Sequence, residues 1–117
     1  MEYTFDSKDE RTLVVQLRGR MVGEYQTIEL AEELDARIEE GLKRIIFEMH
    51  DLEYINSSGL NFFLKILTKV RRNGGEVVMC SLNELLLNLL VTTKLTSFFT
   101  ICRNTDEALL HLEKENA

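Results

Sequence analysis

Two apolar runs constrain this chain more than any other feature. Ile45-Ile46-Phe47 and Val77-Val78-Met79-Cys80 each place apolar residues consecutively, as expected for strands covered on both faces. Between them the period changes. Leu60, Phe63, Leu64, Leu67 and Val70 recur at helical spacing, with Lys65, Lys69, Arg71 and Arg72 gathered towards the end, where cations complement the helix dipole. Asn73-Gly74-Gly75 stops that helix. A strand, a helix and a second strand in this order form a right-handed crossover between parallel strands, so the centre of the fold is an α/β sheet.

The remaining elements extend the same pattern. Tyr3 to Asp6 reads as a short edge strand, and Ser7-Lys8-Asp9-Glu10 as a polar turn. Thr12 to Leu17 reads as the second strand, closed by Gly19 and paired antiparallel with the first. Residues 27 to 40 read as a helix burying Ile28, Leu30, Ala31, Leu34 and Ile38, stopped at Gly41. The central strand is read over Lys43 to Met49. Ser81 with Glu84 forms a candidate capping box for a leucine-rich helix over 82 to 91. Phe98 to Cys102 reads as the fifth strand, and Asn104 or Thr105 as the cap of a last helix carrying Ala108, Leu109 and Leu112. The predicted order is β-β-α-β-α-β-α-β-α over one domain, residues 1–117: a single mixed, mostly parallel five-stranded sheet with four helices.

Composition excludes several classes. With 20 acidic and 14 basic residues the net charge is −6, which argues against nucleic acid and anionic membrane surfaces. No apolar run approaches the roughly 20 residues needed to span a bilayer, and the acidic N-terminus has no signal-peptide pattern, so a cytoplasmic protein is expected. Cys80 and Cys102 fit no metal or redox spacing and read as buried thiols. His111 reads as a solvated helix residue, and His50 beside Asp51 signals nothing specific. There is no P-loop, no G-x-G-x-x-G and no G-x-S-x-G elbow, and no base and acid set for a nucleophilic serine. No enzyme and no cofactor or metal is expected.

The segment Asn56-Ser57-Ser58-Gly59 falls between the central strand and its helix, outside the carboxyl ends of the strands, where such sheets gather functional groups. A serine ahead of an apolar helix is most often a cap. The same position also suits a covalent phosphate, because helix N–H groups and the dipole favour negative charge. The leucine-rich helix over 82 to 91 is open in the same way: its apolar excess fits either a partner surface or burial against the sheet.

Over nearly its whole length the chain resembles the STAS domain family (sulfate transporter and anti-sigma factor antagonist), in particular the small stand-alone antagonists. The resemblance rests on four stretches. They are Leu17-x-Gly19, Asp51-Leu52-x-Tyr54-Ile55-Asn56-Ser57-Ser58-Gly59-Leu60, Gly74-Gly75-Glu76-Val77-Val78, and Leu95-x-x-Phe98-x-x-Ile101 with Ala108-Leu109. It implies a phospho-acceptor at Ser57, with Asn56, Ser58 and Gly59 as neighbours in the partner-binding site. It also implies two partners: an anti-sigma factor with an ATP-binding serine-kinase fold, and a PP2C-type phosphatase that restores the serine. Asn56 stands where the family carries aspartate. Val22 stands where the family tends to carry a second aspartate, and Glu24 is the candidate to replace it as a partner contact. The alternative within the family is a non-phosphorylated docking subunit of a lipid-transport or stress-sensing complex.

Overall fold

The computed structural model describes residues 1–115. The elements are β1 (Glu2–Ser7), β2 (Thr12–Met21), a 3₁₀ turn (Glu24–Gln26), α1 (Ile28–Glu39), β3 (Arg44–Ile55), α2 (Ser57–Arg72), β4 (Glu76–Cys80), α3 (Glu84–Thr92), β5 (Thr100–Cys102) and α4 (Thr105–Glu115). The five strands form one sheet in the order β1-β2-β3-β4-β5, with β1 antiparallel to β2 and every other pair parallel. The expected α/β architecture is therefore the observed one.

The sheet is wound in one direction only. Right-handed crossovers that always step the same way leave their helices on the same face. Accordingly Leu30, Leu34 and Ile38 of α1, Phe62, Phe63, Ile66, Leu67 and Val70 of α2, and Leu86 and Leu90 of α3 pack into one core with Leu13, Val15, Ile45, Phe47, Val77 and Met79. Phe47 lies edge-on to Phe63 and Phe62, at ring-centroid distances of 5.0 and 6.0 Å. Each such pair adds about 0.5–1.5 kcal/mol to the burial itself. Among the described residues the opposite face is covered by α4 alone, whose Ala108 and Leu112 meet Val14, Ile46, Val78, Cys80 and Cys102. Both cysteines are free and buried, as read from the sequence.

The limited reach of α4 explains β3. Its first half is covered on both faces and reads as an apolar run. Beyond Glu48 the chain continues as strand for seven more residues, to Ile55, rather than ending at Met49. Against β2 the register slips twice, between Gln16 and Arg18 and between Gly19 and Arg20, and each slip adds one residue to β3. Two bulges thus space the buried residues Met49, Leu52 and Ile55 by three instead of two. Gly19 does not close β2: it sits inside the strand at φ +92°, beside these slips, and β2 runs on to Met21.

Two further boundaries differ from the sequence reading, and a third is decided between its two alternatives. Ser81 is no cap. It lies at φ +61°, and Asn83 caps α3 by accepting from the backbone N–H of Leu86 at 2.8 Å. Its amide also donates to the carbonyl of Leu52 at 3.2 Å, which fixes the start of α3 beside the bulged part of β3. β5 begins at Thr100, with Phe99 in the core and Phe98 exposed. Asn104, not Thr105, caps α4 through Glu107 N–H at 2.8 Å. His111 is half-buried rather than solvated.

Candidate functional site

Helix α2 starts three residues earlier than its apolar periodicity suggests, so Ser57, Ser58 and Gly59 form its first turn. Asn56 is the cap. Its Oδ1 accepts from the N–H of Ser58 at 3.0 Å and of Gly59 at 3.3 Å, while its Nδ2 donates to the carbonyl of Val22 at 2.6 Å. These partners fix the orientation of the amide. They also give asparagine a role that aspartate could not fill, because a carboxylate has no proton to offer Val22. The cap is therefore Asn56 and not a serine, which leaves the Ser57 side chain uncommitted.

The loop after β2 is built around one further side chain, that of Gln26. Its Oε1 accepts from Val22 N–H at 2.7 Å and Gly23 N–H at 3.0 Å, and its Nε2 donates to Arg20 O at 3.0 Å. With the Asn56 bond, this locks residues 20–26 against the start of α2. Gly59 permits the approach from below. A Cβ there would lie 2.9 Å from Met21 Sδ and 3.1 Å from Ile55 Cβ. Glycine is needed for contact between the helix and the two strand ends.

The structure brings all five residues singled out from the sequence to one end of the sheet. Ser57 is exposed at the first helical position, and Ser58 is half-buried beneath it. Ser58 lines a groove of about 350 Å³ between α1 and α2, with Glu24, Thr27, Ile28, Asp35 and Lys65. Glu24 is thus close enough to share a partner surface with the serines, and Val22, Tyr25 and Ile28 expose apolar side chains along the same rim. Ile28 was expected in the core, but at the first position of α1 it turns outward, 55% exposed. Gln26 and this rim escape a sequence reading because they belong to a loop with no period. His50 and Asp51 pair with each other at 2.9 Å on the exposed bulge of β3. Among the described residues, no three His, Cys, Asp or Glu side chains gather in a way that could hold a metal.

One expectation about the site changes in detail. The N–H groups of Ser58 and Gly59, which could cradle an anion, are already taken by Asn56. A phosphate on Ser57 would start from an exposed side chain and feel the dipole of α2 without displacing the Asn56 cap.

The family model described as "STAS domain" matches residues 7–108. The chain belongs to the STAS domain family. As such a domain it is a binding module and not an enzyme. A Bordetella bronchiseptica protein, provisionally named anti-sigma factor antagonist BtrV, is 28% identical over 108 residues, covering 92% of this chain and 91% of its own. The fold superposes on that of the anti-sigma factor antagonist SpoIIAA in its unphosphorylated form with a TM-score of 0.84, at 15% identity and 97% coverage of both chains. The phosphorylated form of the Bacillus cell-fate determinant SpoIIAA gives 0.75, at 14% identity, covering 94% of this chain and 98% of its own. No helix of the described residues is long and apolar enough to cross a membrane.

Proposed function

We propose that this STAS domain is an anti-sigma factor antagonist whose partner binding is switched by reversible phosphorylation of Ser57. The observation that carries the reading is the division of labour at the head of α2: Asn56 caps the helix, so the hydroxyl of Ser57 is exposed and free to be modified without loss of the cap. The names of its relatives BtrV and SpoIIAA support the partner class, an anti-sigma factor; the ATP-binding kinase fold of that partner is what the family resemblance implies. A PP2C-type phosphatase would reverse the step, and the encounter would take place in the cytoplasm.

The physical mechanism is a change at the interface, not in the fold. Phosphate adds about −1.5 to −2 charges and three acceptor oxygens. The domain keeps its structure because the group points to solvent. A partner seated on Ser57, the apolar rim of Val22, Tyr25 and Ile28, and Glu24 would meet added bulk and charge. A penalty of about 1.4 kcal/mol already weakens binding tenfold.

Incubation with ATP and the kinase-fold anti-sigma factor of the same cell, followed by intact-mass measurement, tests this. One added phosphate, about 80 Da, is expected in the parent and in Ser58→Ala, and none in Ser57→Ala. A stable complex with a transporter or a stress-sensing assembly and no phosphate on any variant would replace this reading with constitutive docking.

A further inference from the structure

Helix α2 carries an unusual charge for this chain. It holds Lys65, Lys69, Arg71 and Arg72 and no acidic residue, although the protein as a whole is at −6. Two of these cations are engaged. Lys69 pairs with Asp35 at 3.2 Å and Glu39 at 3.7 Å, and Arg71 pairs with Glu76 at 3.2 Å and donates to Phe98 O at 2.8 Å. Lys65 and Arg72 make no hydrogen bond or ion pair among the described residues, and both are exposed.

Those two cations share a face with Ser57. At 3.6 residues per turn, Ser57, Asn61, Leu64, Lys65, Thr68 and Arg72 fall within an arc of about 100°. Ser57, Asn61, Lys65, Thr68 and Arg72 are exposed and Leu64 is half-buried. The lower part of the arc forms a shallow groove of about 350 Å³, whose lining adds Lys69. Ser57 stands about 12 Å along the axis from Lys65, about one and a half Debye lengths at physiological salt.

We propose that this outer face of α2 is a docking surface for an acidic segment of a partner protein. The occupant follows from charge: two cations, unpaired among the described residues, lie beside a half-buried leucine on a helix without a single carboxylate. The proposal deepens the switch at Ser57. A phosphate at the head of the face adds about −1.5 to −2 charges, so it would weaken the attraction there, most at Lys65 and least at Arg72, about 22 Å along the axis.

Hexaglutamate peptide is the probe, followed by amide NMR shifts at about 10 mM salt, where the Debye length is about 30 Å. Saturable shifts confined to the amides of 57–72 are expected, with affinity at least threefold lower in the Lys65→Gln, Arg72→Gln double variant and in Ser57→Asp. Lys65→Arg should bind like the parent. Shifts centred instead on the cationic hollow of Arg11, Lys43 and Arg44 at the far end of the sheet, no shifts, or unchanged affinity in the double variant would overturn the proposal. Phosphate transfer to Ser57 with no hexaglutamate response would overturn this inference and leave the switch standing. A response on α2 without phosphate transfer would leave the docking face standing and remove the switch.

Discussion

The side-chain amide of Asn56 donates to the backbone carbonyl of Val22 at 2.6 Å, and through this bond the loop after β2 and the first turn of α2 form one rigid surface. Asn56→Ala removes the cap and the tie together. A lost cap costs about 0.5–2 kcal/mol and a lost hydrogen bond about 1, so a loss of about 1–3 kcal/mol is expected in urea unfolding. Asn56→Asp keeps the cap but not the donor, and its stability should fall between parent and alanine variant.

Gly59→Ala should destabilise despite the better helix propensity of alanine. The gain is at most about 1 kcal/mol, and less at a helix start. The new methyl would press on Met21 Sδ and Ile55 Cβ, and overpacking costs about 1–3 kcal/mol. The thioether can move and the Ile55 Cβ cannot. In a Met21→Ala background the same substitution should cost less, and a double-mutant cycle in urea measures that coupling.

The start of α3 depends on Asn83 and not on Ser81. Asn83→Ala should cost about 1–2 kcal/mol and raise amide exchange at the start of α3, which Asn83 ties to Leu52 O. Ser81→Gly should be neutral or stabilising, because glycine accepts the φ of +61° without strain. Thermal unfolding of the two variants compares them directly.

Cys80 and Cys102 face each other in register on β4 and β5, and burial pushes both thiols above their ordinary pKa. A raised folded-state pKa means that this contribution to stability is complete below the unfolded thiol value of about 8.5. It declines as pH rises from there through the folded-state values. The urea midpoint should therefore fall between about pH 8 and pH 10, and fall less steeply in Cys80→Val than in the parent. An identical slope in both would contradict the burial of the thiol.

Most of the architecture was legible because it rests on period. Ile45 to Phe47 and Val77 to Cys80 are covered on both faces and read as continuous apolar runs, and α2 shows its buried stripe directly. The upper half of β3 was not legible for a physical reason: two bulges place Met49, Leu52 and Ile55 at intervals of three, a spacing that matches neither strand nor helix. Phe62 and Ile66 were missed because the buried arc of α2 is wider than one heptad stripe. At the site, the identity of the segment was readable but its wiring was not. That Asn56 is the cap, that Gln26 organises the loop and that Ile28 faces outward depend on where two distant stretches meet.

The affinity of the proposed partner, a kinase-fold anti-sigma factor, for this protein with and without phosphate on Ser57 tests the central claim most directly. Isothermal titration with the unmodified parent, with Ser57→Ala and with the Ser57-phosphorylated form should give similar affinities for the first two. The third should be weaker by at least tenfold, about 1.4 kcal/mol. Equal affinity for the phosphorylated and unmodified forms would contradict the account.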